Sequence, residues 1–309
     1  MKTYLVTGGA GFIGSYVIRE LLKDENAFIY NVDRMSTGSD VKNLIYDHPR
    51  VENIFADICH DLYKYRLFRK IDYILHLAAE SHVDRSIEKP QSFIDSNVTG
   101  TLNILETCKE NKARMVHVST DEVYGHLLDG EAPFTEEHPL KPRSPYSASK
   151  AASDLLVQSY ITTFNIDASV TRCCNNYGAG QHKEKLIPYV LNSIKRESPI
   201  GVYGDGTNMR EWIHASDHAK AVIEVLHDGT TGEVYNIPGT EIISNIDLIN
   251  RIIKYTTETY PEYKTPKIMF VSDRLGHDFK YELTTKHKLK AVSNQRPFCI
   301  KSLVDRQLQ

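Results

Sequence analysis

The stretch TGGAGFIGS, from Thr7 to Ser15, follows a short apolar run near the start of the chain. Three of its glycines, Gly8, Gly11 and Gly14, recur at every third position between an extended pattern and a helical one. Glycine allows the tight turn and lets the backbone approach a pyrophosphate, which the free N–H groups at the start of the helix can bind. The stretch therefore predicts a strand, a turn and a helix that together bind a dinucleotide.

An acidic residue ends the next predicted strand, AFIYNVD, about 20 residues after the glycine turn. From that position the Asp33 carboxylate can accept a hydrogen bond from a ribose 2′-hydroxyl and repel a 2′-phosphate. We therefore expect NAD rather than NADP as the cofactor. Arg34, the next residue, weakens this preference because an arginine here can pair with a 2′-phosphate.

Alternating patterns over the first half of the chain predict the fold class. Further predicted strands are DYILHLAA (Asp72–Ala79), ARMVHVST (Ala113–Thr120) and DASVTRCCNNYG, and the predicted helices are FIGSYVIRELLKD, NVTGTLNILETCKEN and SPYSASKAASDLLVQSYITTF. The last helix is predicted to start with Ser144 as its N-cap and Pro145 in its first position. Strands that alternate with helices predict an α/β fold with a doubly wound parallel sheet of the Rossmann type.

The pattern loosens after about Arg172, where SPIGVYGDGTNMREWIHASDH is rich in glycine and polar residues. We expect residues 1–172 to form an NAD-binding domain and residues 173–309 to form mainly a smaller, mixed α/β substrate lobe. EVYNIPG, near residues 233–238, is predicted to return to the main sheet. NIDLINRIIKYTTETY and PKIMFVSD are predicted as a further helix and strand.

Composition argues against several classes of protein. The 309 residues include 37 Lys and Arg and 40 Asp and Glu, and the net charge of −3 gives no electrostatic basis for binding nucleic acid or a membrane. The five cysteines form no Cys-x-x-Cys pair, so we expect neither a zinc site nor a disulfide framework. The apolar run at the N-terminus is too short for a signal peptide or a membrane span. We therefore expect a cytoplasmic protein without a metal ion.

The stretch HVSTDEVYG, from His117 to Gly125, places Asp121 and Glu122 directly after a predicted strand. The carboxyl ends of strands form the ligand-binding edge of an open α/β sheet. Two close carboxylates push each other's pKa apart, so that one can donate a proton while the other accepts one. A solvated acidic turn is the alternative interpretation.

Tyr146 and Lys150 lie four residues apart in the last predicted helix and therefore on the same face. A lysine ammonium beside a phenol favours the phenolate and lowers its pKa from about 10. We expect Tyr146 to act as a base toward a sugar hydroxyl. Such a pair also arises by chance in helices, but here it follows a predicted nucleotide-binding sheet.

Together these residues resemble the extended branch of the short-chain dehydrogenase/reductase superfamily, in its NAD-dependent epimerase/dehydratase family. Within that branch the chain is similar to the dTDP-glucose 4,6-dehydratases. The matching stretches are TGGAGFIGS, LAAESHVDRSI, STDEVYG, YSASKAASD, NNYG, KLIP, YGDGTNMREWIHASDH, YNIPG and DRLGHD. Epimerases of the branch usually lack the acid pair, and GDP-mannose dehydratases usually keep the glutamate but not the aspartate.

The resemblance implies a role for each residue at a matching position. The implied catalytic residues are Thr120, Asp121, Glu122, Tyr146 and Lys150. The implied NAD-binding residues are Gly8, Gly11, Phe12, Ile13, Gly14, Asp33, Asp57, Ile58, Ala78, Ala79, Ser96, Tyr146 and Lys150. The implied substrate-binding residues are Ser81, Thr120, Asn175, Lys185, Leu186, Tyr203, Arg210, Asn236, Arg274 and His277.

The implied reaction converts dTDP-glucose into dTDP-4-keto-6-deoxyglucose without net oxidation. Tyr146 takes the proton of the C4 hydroxyl, Lys150 steadies the phenolate, and Thr120 binds the C4 oxygen. Glu122 then removes the C5 proton, and Asp121 protonates the departing C6 hydroxyl. The hydride that leaves C4 returns to C6, so NAD stays bound. The resemblance also implies a homodimer that packs through helices of the first lobe.

Two stretches depart from the family's pattern and concern the nucleotide contacts. They are RMSTGSD after Asp33 and SPIGVYG, which has one residue more than the usual Pro-Ile-Tyr-Gly. dTDP-glucose is the favoured substrate and UDP-glucose is the alternative. A nucleotide-sugar 4-epimerase and a non-catalytic NAD-sensing protein are further alternatives. The intact acid pair argues against the first, and the presence of both Tyr146 and Lys150 argues against the second.

Overall fold

The computed structural model describes residues 1–60 and 70–308. The strands in these residues are β1 (Lys2–Thr7), β2 (Ala27–Val32), β3 (Val51–Ile54), β4 (Tyr73–His76), β5 (Arg114–Thr120), β6 (Ala168–Cys173), β7 (Asn175–Tyr177), β8 (Ile200–Tyr203), β9 (Met209–His214), β10 (Val234–Ile237), β11 (Glu241–Ser244) and β12 (Ile268–Val271). The α-helices are α1 (Phe12–Leu21), α2 (Val83–Glu88), α3 (Pro90–Phe93), α4 (Gly100–Asn111), α5 (Pro145–Phe164), α6 (Leu186–Lys195), α7 (Ala215–Asp228), α8 (Asn245–Thr259), α9 (Lys290–Ser293) and α10 (Lys301–Leu308). Asp121–Tyr124 forms a short 3₁₀ helix directly after β5.

A parallel sheet of seven strands lies at the centre, in the spatial order β10-β6-β5-β4-β1-β2-β3. Strand β1 is flanked by β2 on one side and by β4 on the other, so the strand order reverses there. Such a reversal opens a crevice at the carboxyl ends of the strands, where ligands of open α/β sheets bind. The predicted doubly wound parallel sheet is confirmed.

Both faces of the sheet are buried, as expected for parallel strands. Leu5 packs with residues of α4 and α5 in one apolar core, whereas the next residue, Val6, belongs to a second core that includes residues of α1 and α7. Helix α5 starts as predicted, because the Ser144 hydroxyl accepts a hydrogen bond from the Ser147 N–H at 3.1 Å and Pro145 occupies the first position. This start fixes where Tyr146 and Lys150 lie relative to the sheet.

The second half of the chain contributes to both lobes. Strand β10 pairs in parallel with β6 at one edge of the main sheet. Helix α7, which the sequence interpretation did not predict, packs against α1 and β5 through buried residues such as Val222 and Val225. The smaller lobe contains the three-stranded sheet β11-β9-β7 and the two-stranded sheet β12-β8, packed around Trp212, Leu191 and Leu248. None of the helices in residues 1–60 and 70–308 is both long and apolar enough to cross a membrane.

Candidate active site

The glycine turn after β1 has the geometry of a phosphate cradle. Gly8 has a φ of +77°, and a Cβ atom on it would lie 2.8 Å from the backbone of Ala78. A Cβ atom on Gly14 would overlap the carbonyl oxygen of Gly8. Helix α1 starts directly after Gly11, and among the described residues no side chain caps its first turn. The free N–H groups at that helix end and the lack of side chains around them fit a bound pyrophosphate.

A cavity, here called the glycine-loop cavity, extends from this turn along the carboxyl ends of the central strands. Its lining includes the predicted residues Gly8, Gly11, Phe12, Ile13, Gly14, Asp33, Ile58, Ala78, Ala79, Ser81, Ser96, Thr120, Asp121, Glu122, Tyr146, Lys150, Asn175 and Lys185. Tertiary structure therefore brings all five predicted catalytic residues into one cavity with the residues predicted to hold NAD, except Asp57.

Asp33 is held rigidly at the end of β2. Its carboxylate accepts hydrogen bonds from the Ala10 N–H at 3.0 Å, the Met35 N–H at 2.8 Å and the Ser39 hydroxyl at 2.8 Å. These bonds fix a negative charge on the cavity wall, as a site for a ribose hydroxyl requires. Asp57 has a different environment, because its carboxylate accepts from the Cys59 N–H and pairs with Arg34.

A second cavity, here called the arginine cavity, adjoins the first. Its lining includes the predicted residues Asn175, Lys185, Leu186, Tyr203, Arg210, Arg274 and His277. The two cavities share Glu122, Asn175, Gln181 and Lys185 in their walls. One extended ligand in the arginine cavity can therefore reach the acid pair.

The two arginines of this cavity differ in their partners. Arg274 Nη1 lies 3.6 Å from Asp84 Oδ1, a contact at partly exposed side chains. Arg210 is buried, and its terminal nitrogens donate to the carbonyl oxygens of Met209, Asp278 and Phe279. Arg274 is thus the more accessible of the two guanidinium groups for a diphosphate.

Asn236 is the one predicted substrate residue that the structure does not bring to the others. It is fully buried in β10, outside the walls of both cavities. Its amide donates to the carbonyl oxygens of Phe134 at 3.1 Å and Thr284 at 2.9 Å, and it accepts from the Tyr124 hydroxyl at 2.8 Å. These bonds tie β10 to the loops above it.

The acid pair is a buried site, not a solvated turn. Asp121 is 2% exposed, and burial together with the Glu122 carboxylate raises its pKa well above the usual range. Burial also raises the pKa of Glu122, and the positive charges of Arg274 and Arg210 offset only part of this rise. Asp121 is therefore suited to carry a proton and Glu122 to accept one. Within the described part of the chain, the buried Asp121 Oδ2 has no hydrogen-bond partner.

The environment of Tyr146 corrects one expectation. Burial, followed by the negative charge of Glu122, raises the Tyr146 pKa well above 10, so the prediction that Lys150 lowers this pKa is wrong. Lys150 Nζ instead donates to the Val118 carbonyl at 2.9 Å, and burial lowers its pKa to about 8. A hydrogen bond with the Thr120 hydroxyl acts in the opposite direction and lowers the Tyr146 pKa.

The family model for GDP-mannose 4,6 dehydratase matches residues 5–290. The chain belongs to this dehydratase family. A dTDP-glucose 4,6-dehydratase of Neisseria meningitidis serogroup B is 41% identical over 301 residues, which cover 91% of this chain and 85% of that protein. The low-salt glycan biosynthesis protein Agl12 of Haloferax volcanii is 42% identical over 288 residues, which cover 92% of this chain and 91% of that protein. The resemblance predicted from the sequence is confirmed.

Solved structures extend this relationship to the fold. DesIV, a dTDP-glucose 4,6-dehydratase from Streptomyces venezuelae solved with NAD and dTDP bound, superposes with a TM-score of 0.89 at 37% identity, over 98% of this chain and 96% of that one. A UDP-glucose 4-epimerase of Thermus thermophilus, solved with NAD, gives a TM-score of 0.86 at 26% identity, over 99% of each chain. The dehydratase family shares its fold with epimerases, so the fold alone does not decide the reaction.

Sequence interpretation of this family member missed a buried polar cluster beneath Lys150. His117 Nε2 lies 3.4 Å from Lys150 Nζ and 3.5 Å from Asp154 Oδ1. Arg172 donates to the other oxygen of Asp154 at 2.9 Å. One signal was present, because Asp154 lies four residues after Lys150 and so on the same face of α5. His117 and Arg172 lie on neighbouring strands, and only strand pairing places them there.

Proposed function

We propose that this protein is an NAD-dependent dTDP-glucose 4,6-dehydratase, a hydro-lyase that produces dTDP-4-keto-6-deoxyglucose. The observation that carries the proposal is the buried carboxyl of Asp121, with its raised pKa, beside Glu122 and in the same cavity wall as Tyr146. A 4-epimerase needs a dinucleotide and a base, whereas elimination of water also needs an acid and a second base. The relatives and the DesIV structure support the same reaction.

The dinucleotide site fits NAD through residues of this chain. The glycine turn receives the pyrophosphate, Asp33 binds the ribose, and Tyr146 and Lys150 bound the other end of the cavity. When bound, NAD takes a hydride from C4 of the sugar and returns it to C6. Lys150 is positioned by the Val118 carbonyl, which keeps its ammonium within the buried wall.

Tyr146 takes the proton of the C4 hydroxyl in this proposal. Its raised pKa opposes that role, because a neutral phenol is a poor base. A positive charge brought into the cavity by the cofactor would lower the phenol pKa, as does the interaction with the Thr120 hydroxyl. Base catalysis at Tyr146 is therefore tied to the presence of oxidised cofactor.

The acid pair carries the elimination. The C4 ketone acidifies the C5 proton, which Glu122 removes, and the neutral Asp121 protonates the C6 hydroxyl as it leaves as water. Glu122 then returns its proton to C5. Because Glu122 also lines the arginine cavity, a nucleotide diphosphate held there brings its sugar to both carboxyl groups. Arg274 is placed for the diphosphate, since a guanidinium fork matches phosphate oxygens.

Proton balance gives Thr120 a second role. One turnover leaves Tyr146 with the proton from O4, while Asp121 has lost its proton to water. The Thr120 hydroxyl lines the same cavity as both groups. It donates to Asp121 Oδ1 at 3.1 Å, and its interaction with the Tyr146 phenol lowers the pKa of that phenol. The phenol proton passes to Thr120 Oγ1 as the proton of Thr120 passes to Asp121. This transfer restores both groups without solvent.

We also propose a cytoplasmic homodimer. All five cysteines are free thiols, which fits a reducing compartment. Helices α4 and α5 and the π-helical segment Ile94–Thr99 expose large apolar side chains on the outside of the first lobe, namely Ile94, Leu102, Leu155 and Phe164. Apolar side chains grouped on neighbouring helices are typical of a subunit interface.

The function is tested by incubating the purified protein with dTDP-glucose and UDP-glucose in parallel, without added NAD. We expect a 4-keto-6-deoxy sugar from dTDP-glucose, supported by NAD that copurifies with the protein. Faster turnover of UDP-glucose would make UDP-glucose the proposed substrate instead. Formation of a 4-epimer without a keto sugar, or no reaction with supplied NAD, would reject the dehydratase assignment.

A further inference from the structure

The guanidinium group of Arg34 is held between two carboxylates that come from different strands. Arg34 follows β2 and lines the glycine-loop cavity next to Asp33. Its Nη1 lies 3.0 Å from Asp57 Oδ2, in the segment after β3, and its Nη2 pairs with Glu80, in the segment after β4. Each end of the guanidinium therefore has its own anionic partner.

Both partners are anchored through backbone contacts. The Glu80 N–H donates to Asn97 Oδ1 at 2.8 Å, and the Glu80 carbonyl accepts from Asn97 Nδ2 at 3.0 Å. Asp57 Oδ1 accepts from the Cys59 N–H at 2.9 Å. The pairing raises the pKa of Arg34, and the Cys59 hydrogen bonds together with Arg34 lower the pKa of Asp57.

An arginine beside the ribose-binding acid normally accommodates the 2′-phosphate of NADP. Here that arginine already has two anionic partners, and the Asp33 carboxylate lies next to it in the cavity wall. We propose that Arg34, Asp57 and Glu80 form an arginine lock that excludes a 2′-phosphate and so fixes NAD as the cofactor. The proposal rests on the proposed dinucleotide site, and it is independent of the reaction on the sugar.

The test is the affinity for each dinucleotide, measured by calorimetry on protein freed of bound nucleotide. Glu80→Gln keeps the side-chain shape and removes one charge. We expect affinity for NADP to rise on the order of tenfold, because one repulsive charge is lost and Arg34 is partly released. We expect affinity for NAD to stay within about twofold of the wild type. Asp57→Asn serves as the second variant for NADP, and thermal melting confirms that each variant is folded.

Two controls show whether Arg34 is responsible for the gain in affinity for NADP. Glu88→Gln removes the same charge from an exposed site on α2 and should leave the affinity for NADP unchanged. Adding Arg34→Met to Glu80→Gln should remove most of the gain and leave only the part due to the lost repulsive charge, since no guanidinium remains to pair with the phosphate. An unchanged affinity for NADP in both Glu80→Gln and Asp57→Asn, or a gain that survives Arg34→Met in full, would overturn the lock. A wild type that binds neither dinucleotide would instead reject the proposed function.

Discussion

The Thr120 hydroxyl donates a hydrogen bond to the Asp121 carboxylate, with 3.1 Å between Oγ1 and Oδ1. Both residues are almost fully buried at the end of β5, and the same hydroxyl lines one cavity with the phenol of Tyr146, whose pKa it lowers. A single side chain thus connects the group proposed to start the reaction with the group proposed to release water. In such a chain the hydroxyl can accept from one partner while it donates to the other.

Replacing Thr120 with valine tests this connection, because valine has nearly the same shape and lacks the hydroxyl. We expect the steady-state rate to fall further than the rate of the first turnover, since the proton on Tyr146 no longer reaches Asp121. Rapid-quench measurement of product per active site separates the two rates. Thr120→Ser keeps the hydroxyl and should show equal rates. Equal slowing of first and later turnovers in the valine variant would limit Thr120 to binding the C4 oxygen.

Removing both carboxyl groups of the acid pair tests the elimination. Asp121→Asn combined with Glu122→Gln should abolish formation of the 6-deoxy sugar and leave slow oxidation at C4, seen as accumulated NADH absorbance. Tyr146→Phe is the contrasting variant, which should lower the oxidation itself by about 10²- to 10⁴-fold. Full activity in the double variant would contradict the acid and base assignments.

The buried carboxyl of Glu211 makes stability depend on pH. Burial raises its pKa from 4.5 to about 7, although the Leu283 N–H donates to it. The folded state thus binds this proton more tightly than the unfolded state, and this contribution to stability is lost as pH rises through that range. The melting temperature of Glu211→Gln relative to the wild type should therefore increase between pH 4.5 and pH 7. A flat difference would show that Glu211 does not titrate there.

The proposed dimer interface is tested with a charge on α5. Leu155 is 59% exposed, and Leu155→Glu should give the mass of a single chain by light scattering, because an apolar interface does not accept an unpaired carboxylate. Phe270→Glu is a matched control, since Phe270 is 60% exposed on β12, away from α5. A wild-type monomer, or a dimer that persists in Leu155→Glu, would contradict the interface.

Most of the fold could be predicted because its signals are local. The glycine turn and the capped start of α5 depend on backbone conformations that a few neighbouring residues impose. Helix α7 was missed although its sequence has helical periodicity, because it follows a glycine-rich stretch that resembles a loop. Its place against α1 is set by the packing of apolar side chains, which have no preferred partner in the sequence alone.

The proposed catalytic residues were predicted from motifs, but their electrostatics were not predicted. A lysine four residues after Tyr146 predicts a lowered Tyr146 pKa only if its charge is the strongest influence on the phenol. In the folded protein, burial and the charge of Glu122 outweigh that pairing. Asn236 is a second case in which a motif does not predict the environment of a side chain. Its motif matches the family, but its amide is hydrogen-bonded to carbonyl oxygens in the interior.

The amino-acid sequence by itself determined the dinucleotide turn, the acid at the end of β2 and the positions of Asp121, Glu122 and Tyr146, since each follows from spacing within one strand, turn or helix. Only the tertiary structure decided which groups the Arg34 guanidinium pairs with. From the sequence this arginine weakened the preference for NAD, but Asp57 and Glu80 reach it from the ends of two other strands. Charge interactions depend on distance through space and on burial, and neither is set until the strands are paired.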